Sequence, residues 1–245
     1  MPDADDEQAE LYKGAPLQVG DQVPNFSCDS NMGMVDFHEV LDGDFTVLVT
    51  FPHDFEAIAT TELGHLARMK EEFDDRNVKL FALSADGKGS QKRWIEDVEE
   101  LQDCKITFPI FADSNGNISR VFGLVRPGTI GNANKNIINA GLIVIIDIDK
   151  RIRFISQYPS TTGRNFYEVL RIIDTLQLTL FHSVATPANW QQGDDGKRLG
   201  RSRGGVVKDQ QPQARGAQPL AKCFMVMRNE SQAANLAVHF KHDVL

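Results

Sequence analysis

Apolar residues along this chain recur at two different periods, and the changes between them mark out its elements. Phe45-Thr-Val-Leu-Val-Thr-Phe51 and Val78-Lys-Leu-Phe-Ala-Leu-Ser84 are continuous β-branched and aromatic runs, which predicts two buried strands. Between them, Ile58, Leu63, Leu66, Met69 and Phe73 recur at helical spacing, predicting one amphipathic helix from Ala57 to Phe73. A further helix is predicted over Ser90 to Leu101, a short strand over Thr107 to Ala112, and a short helix over Ile118 to Phe122 closed by Gly123. Leu142 to Ile148 and Arg153 to Gln157 read as strands joined at Asp149-Lys150. Phe166, Val169, Leu170, Ile173 and Leu176 then set a long helix from Asn165 to Leu178. Upstream, Gly20-Asp21, Pro24-Asn25 and Asn31-Met-Gly33 punctuate short apolar pieces, so Leu17 to Leu41 reads as a hairpin followed by a helical turn near Phe37 to Leu41.

The order βαβα followed by ββα predicts an α/β fold. It is a thioredoxin-like mixed sheet flanked by helices, parallel in its first strands and antiparallel in its later ones. Residues 1–15 have no periodicity and carry Asp3, Asp5, Asp6, Glu7 and Glu10, so they read as a disordered acidic leader. Residues 16–180 form the main domain. The texture changes after Leu180: Trp190 to Gln218 is rich in Gly, Gln and Arg and reads as a loop. Cys223-Phe-Met-Val-Met227 returns to apolar alternation and predicts a strand. Residues 181–228 are therefore assigned to a small second domain, and 229–245 to a tail with a short helix around Ala233 to Val238.

Composition narrows the function. The chain has 245 residues, 41% hydrophobic and 24% charged, an ordinary globular balance with room for a sizeable core. A net charge of −8 argues against general nucleic-acid binding. Lys197, Arg198, Arg201 and Arg203 make one basic patch, but no aromatic residues interleave with it, which favours a solvated loop over a nucleic-acid site. The longest apolar run, Gly141 to Ile146, is far short of the ~20 residues of a membrane span. An acidic start is the wrong sign for a presequence, so a cytoplasmic setting is expected. Cys28, Cys104 and Cys223 are odd in number and widely spaced, which is neither a disulfide framework nor a zinc pattern. No metal and no cofactor are expected.

Several motifs together resemble the 1-Cys peroxiredoxins of the AhpC/TSA family, over roughly residues 17 to 227. Gly20-Asp-Gln-Val-Pro-Asn-Phe26 and Phe37-His38 are similar to its opening motifs. Pro52, Asp54, Phe55 and Thr60-Thr-Glu-Leu-Gly64 flank the position of its active-site turn. Tyr158-Pro159, Thr161-Thr-Gly-Arg-Asn-Phe166, Leu170-Arg171 and Ala185-Thr-Pro-Ala-Asn-Trp190 carry the strongest likeness, and Lys222 to Arg228 resembles the closing strand of a second, smaller domain. The resemblance implies a thiol peroxidase. Such a site needs a cysteine thiolate as nucleophile and an arginine that lowers its pKa below about 8.5. It also needs a threonine hydroxyl three residues before the cysteine, and in the 1-Cys branch a histidine just before the loop's proline lines the pocket.

Read across position by position, the resemblance implies a dismantled site. Ala59 stands at the cysteine position, Glu56 at the threonine position, Gly141 at the arginine position and Phe51 at the histidine position, with Ala57 replacing a proline. A methyl group cannot attack a peroxide, and Glu56 is expected to bring negative charge that nothing at Gly141 offsets. The family's lipase-like pattern also fails, because Asp44 occupies its serine position although His38 and Asp149 match. His38 and Asp149 are accordingly expected to be structural, and His53 and His65 to be surface or capping groups. Asp54, Thr60, Thr61 and Glu62 are expected to cap and pack the helix that starts at the vacated turn. None of the three cysteines sits at a helix amino terminus beside a cation. The expectation is a catalytically inactive member acting as a structural or interaction subunit, pairing as a homodimer or joining a larger assembly. The alternative is a thiol-dependent peroxidase with altered or residual activity using Cys28, Cys104 or Cys223.

Overall fold

A computed structural model describes residues 16–126, 137–182 and 184–198. The two continuous apolar runs form adjacent parallel strands, β3 (Phe45–Phe51) and β4 (Val78–Ser84), with every residue of β3 buried. They are central in a seven-stranded sheet of order β2-β1-β5-β4-β3-β6-β7. The other members are β1 (Ser27–Ser30), β2 (Gly33–Asp36), β5 (Ile110–Ala112), β6 (Ala140–Ile146) and β7 (Ile152–Pro159). β5 pairs parallel to β4, whereas on the other side β6 pairs antiparallel to β3 and β7 antiparallel to β6. The mixed sheet with flanking helices is the arrangement that the βαβα and ββα order predicts.

One core cluster fills a face of the sheet around four phenylalanines. The Phe26 and Phe37 rings stack at 4.4 Å, Phe81 and Phe111 at 5.4 Å, and Phe37 meets Phe81 and Phe111 edge-on. Such pairs add to plain area burial by about 1 kcal/mol each. Phe37 opens α1 (Phe37–Leu41), which Asp36 caps by accepting from the Glu39 amide.

Several element boundaries differ from the expected ones. The single helix predicted from Ala57 to Phe73 is two, α2 (Ala57–Arg68) and α3 (Lys70–Asp74). They break at Met69, whose N–H is shared between the His65 and Leu66 carbonyls. A shared donor tightens the turn without interrupting the apolar spacing, so the periodicity runs through it. α4 (Lys88–Gln102) begins two residues early and ends at Asp103 in the left-handed region, φ +46°. β5 is only three residues long, because Pro109 has no N–H to donate to a ladder. β6 starts at Ala140, so Gly141 lies within it. α5 (Asn117–Val121) is held by the buried Asp113 carboxylate, which accepts from the Ile118 and Ser119 amides at 3.1 and 2.7 Å. Between β6 and β7 the Asp147 carboxylate accepts from the Asp149 and Arg151 amides, with Lys150 at φ +62°.

The chain divides into two compact units. Among the described residues, the first comprises 16–74 and those within 78–170, and contains the whole seven-stranded sheet. The second comprises 75–77 and those from 171 to 198. α6 (Phe166–Phe181) starts in the first unit, where Phe166, Val169 and Leu170 are buried, and Asn165 accepts from the Tyr167 and Glu168 amides to cap it. Within the second unit Arg76 Nε donates to Asp174 at 2.8 Å and Gln177 donates to the Arg76 carbonyl. Trp190 is buried, its indole N–H bonded to the Asp194 carbonyl. β8 (Val184–Ala185) pairs with β9 (Lys197–Arg198), so the expected loop from Trp190 carries a two-residue strand at 197–198. Arg201, Arg203, Cys223, the strand predicted at 223–227, the helix around 233–238 and the leader 1–15 lie outside the described residues.

Candidate functional site

β3 ends at Phe51, and residues 52–56 turn the chain into α2. Phe55 takes φ +61°, an uncommon conformation for a bulky side chain, and its ring is about half exposed. Glu56 is the residue at the amino-terminal cap of α2, but its side chain makes no capping bond. The expectation that Asp54 caps this helix does not hold. Asp54 is buried against the segment after β4: its amide donates to Asp86 Oδ2 at 2.7 Å, and its carboxylate accepts from the Ser84 hydroxyl. Burial pushes the Asp54 carboxyl up, opposed by its hydroxyl partners Ser84 and Ser90. Thr61 bonds back to the Ile58 carbonyl, and Thr60 accepts from the Trp94 indole at 2.9 Å, which ties α2 to α4.

Ala59 lies in the first turn of α2 and is only 4% exposed. It lines a cavity with Phe51, Glu56, Glu62, Gly141, Tyr158 and Arg164. The free volume there is about 10 Å³, room for about one water molecule. The positions matched to cysteine, threonine, arginine and histidine in the sequence therefore do converge on one place. What fills that place was not expected.

Arg164 fills it. Its Nε and Nη2 donate to the two Glu62 oxygens at 3.0 and 2.6 Å, and its backbone N–H adds a bond to Oε1 at 2.7 Å. Nη1 donates to the carbonyls of Thr50 on β3 and Leu142 on β6, at 3.0 and 2.9 Å. The β3–β6 ladder is regular from Thr46–Ile146 to Val49–Ile143. At the next step the Leu142 amide goes to the Thr50 hydroxyl at 2.8 Å, so the guanidinium closes the opening of the ladder. The Arg164 and Glu62 side chains are 3 and 8% exposed. Above them Phe51 lies between the guanidinium, 4.8 Å from its centroid, and the Trp94 ring, edge-on at 5.5 Å.

Gly141 is part of this arrangement. A Cβ there would stand 2.8 Å from Arg164 Nη1 and 2.8 Å from the Thr50 carbonyl oxygen. Gly141 itself supplies no cation, but the Arg164 guanidinium occupies the space beside it. That charge is balanced by Glu62. Burial holds the Glu56 carboxyl above its ordinary value, with His53 opposing and Asp86 adding to the rise.

The remaining residues singled out in the sequence lie elsewhere. His38 bonds the Val23 carbonyl at 2.7 Å, Asp149 sits in the β6–β7 turn, and Asp44 pairs with Lys79 at 3.2 Å. His53 is a surface group 3.7 Å from Asp86, and His65 stacks on Phe166. Burial and the nearby Asp113 push the Cys28 thiol up to about 12, and burial raises Cys104 as well. Both are therefore protonated at neutral pH, and neither is poised as a nucleophile. Among the described residues no group of three or more His, Cys, Asp or Glu is disposed to hold a metal ion. Among them also, no helix is long and apolar enough to cross a membrane.

Arg164 is the functional-site residue that reading across from the peroxidase site passed over. Its signal lies in two motifs that carry one opposite charge each, Glu62 in Thr60-Thr-Glu-Leu-Gly64 and Arg164 in Thr161-Thr-Gly-Arg-Asn-Phe166.

Comparison with known proteins agrees with this architecture. The sequence profile of the AhpC/TSA family matches residues 19–155. The chain is 42% identical to the 1-Cys peroxiredoxin of Dictyostelium discoideum over 179 residues, covering 73% of this chain and 72% of that protein. It is 37% identical to peroxiredoxin-6 of Gallus gallus over 182 residues, 73% of this chain and 81% of the other. The solved structure of the yeast mitochondrial 1-Cys peroxiredoxin superposes with a TM-score of 0.69 at 39% identity, covering 74% of this chain and 86% of that one. With the seven-stranded sheet and these likenesses together, the chain belongs to the AhpC/TSA family of peroxiredoxins.

Proposed function

We propose that this chain is a peroxiredoxin without thiol peroxidase activity, acting as a structural or interaction subunit. The observation that carries this reading is the cavity itself. A methyl group, a carboxylate and a glycine, at Ala59, Glu56 and Gly141, stand where the family resemblance puts nucleophile, hydroxyl and cation, and about 10 Å³ is left between them. Without a thiolate no sulfur–oxygen bond can form there, and electrostatic stabilisation has nothing to act on. The buried Arg164–Glu62 pair is retained as a fold element, which joins β3, β6 and α2 whether or not peroxide is reduced.

The same reading includes a homodimer or a place in a larger protein assembly, a cytoplasmic setting, and no nucleic-acid partner. It keeps a division of the chain into residues 1–15, 16–180, 181–228 and 229–245. A second reading is favoured by the names of the relatives: a thiol-dependent peroxidase of altered mechanism, for which Cys223 would be the remaining candidate sulfur. Stopped-flow mixing of the purified protein with hydrogen peroxide and a lipid hydroperoxide, in the presence of dithiothreitol, separates the two. Inactivity equal to that of the Cys28, Cys104 and Cys223 triple serine variant is expected. A cysteine-dependent rate constant within the ~10⁴–10⁸ M⁻¹s⁻¹ range of enzymes would overturn the proposal.

A further inference from the structure

Methionine is ordinarily a core residue, and Met69, only 5% exposed, follows the rule. Met32 and Met34 do not: they are 53 and 69% exposed, at the turn and on the outer strand of the β1–β2 hairpin. Neither can retreat from solvent, because the hairpin is fixed from both sides. The Asn31 amide donates to the Ile110 carbonyl and its side chain accepts from the Ile110 amide at 2.8 Å, which anchors the turn to β5. The Ser30 hydroxyl accepts from the Met32 amide and donates to the Gly33 carbonyl at 2.7 Å, and Gly33 takes φ +112° to complete the turn. Within β2, Val35 packs toward the core cluster, so the neighbouring Met34 is directed outward.

We propose that Met32 and Met34 form a peroxide-sensitive modification site, taken by small hydroperoxides to methionine sulfoxide. In each event one peroxide oxygen is transferred to the thioether sulfur. The O–O bond breaks, an S–O bond forms, the sulfur gives up two electrons, and the peroxide leaves as an alcohol or as water with no net proton consumed. A thioether needs no ionisation to react, so this chemistry survives where burial keeps the Cys28 and Cys104 thiols protonated. The product is polar and chiral, and it converts two exposed apolar side chains of the hairpin into hydrogen-bond acceptors. Thiol-dependent methionine sulfoxide reductases reverse it, which makes the site switchable.

The proposal stands independently of the peroxidase question, since it concerns stoichiometric oxygen uptake rather than turnover. The test exposes the full chain to hydrogen peroxide and to tert-butyl hydroperoxide, quenches at intervals and maps oxygen uptake by proteolysis and mass spectrometry. Met32 and Met34 should be modified roughly tenfold or more ahead of Met69. Their rates should be unchanged in the triple cysteine-to-serine variant and flat between mildly acidic and mildly alkaline pH. The double variant Met32→Leu/Met34→Leu should lose uptake in the hairpin while Met69 keeps its rate, and a methionine sulfoxide reductase should restore the original mass. Uptake at Met69 as fast as at Met34, or a rate at Met34 that rises with pH like a thiolate reaction, would overturn it.

Discussion

Replacing Arg164 by Met tests how much the buried ion pair contributes. The substitution removes the guanidinium but keeps most of the aliphatic volume. Glu62, whose side chain is 8% exposed, would keep only the Arg164 backbone N–H, and the Thr50 and Leu142 carbonyls would each lose a donor. Removing one partner of a buried pair costs about 3–5 kcal/mol, a large share of a total stability on the order of 5–15 kcal/mol. Glu62→Leu should cost a similar amount by leaving the guanidinium unpaired. The double variant should recover at least half of the summed loss, because an apolar pair of similar volume carries no uncompensated charge.

The assay is urea unfolding followed through Trp94, which is fully buried against Phe51 and bonded to Thr60. A Trp190→Phe background removes the reporter of the second unit, whose unfolding need not coincide with the first. At a slope of about 2 kcal/mol per molar urea, each single variant should shift the midpoint by about 2 M. The coupling should persist in ~1 M salt, where the Debye length of about 3 Å quenches exposed pairs such as Lys88–Asp29. Single-variant losses under about 1 kcal/mol, or a double variant equal to the sum of its parts, would refute the claim that this pair acts as a unit.

Ala59→Cys alone should give a thiol with a pKa above the ordinary value of about 8.5, read from thiolate absorbance against pH. The pull of the α2 amino terminus is smaller than the effect of burial, the Glu56 carboxylate and an arginine already neutralised by Glu62. Glu56→Thr in addition should lower it, and a single-variant thiol already ionised at neutral pH would show the charge balance to be misjudged. Gly141→Ala should destabilise by about 1–3 kcal/mol in the same urea assay, because the new methyl would stand 2.8 Å from Arg164 Nη1 and from the Thr50 carbonyl oxygen. Burial holds the Asp113 carboxyl up at about 6, so it lowers stability by about 3 kcal/mol at neutral pH. That penalty is relieved as pH falls from about 6 toward the unfolded value, and Asp113→Asn should flatten the gain in a comparison at pH 7 and pH 4.5. Phe154→Asp, on the edge strand β7, should shift a homodimer toward monomer by light scattering at micromolar concentration. A wild-type monomer would remove the homodimer from the proposal.

How much of this was legible in the sequence depends on the range of the interaction involved. The central strands and α6 were legible because burial leaves a periodic imprint that needs no partner to be known, as in the unbroken run of β3. The break at Met69 was not, because one amide shared between two carbonyls leaves side-chain spacing unchanged. The convergence of Phe51, Glu56, Ala59 and Gly141 came from resemblance to a family, and the cavity brings the same residues together. Those four positions by themselves do not reveal the Arg164–Glu62 pair that stands beside them. Glu62 and Arg164 are 102 residues apart and each, taken alone, is a charge that should sit in water. Only when paired can they be buried at 8 and 3% exposure, and pairing is a property of the fold rather than of either segment. The same logic gives Gly141 a physical reason beyond the absence of an arginine. With no Cβ at 141, the guanidinium reaches the Thr50 and Leu142 carbonyls and closes the ladder where β3 and β6 part. A Cβ at 141 would stand 2.8 Å from both Arg164 Nη1 and the Thr50 carbonyl oxygen, so rebuilding an arginine at 141 requires the guanidinium or the β3 backbone to shift.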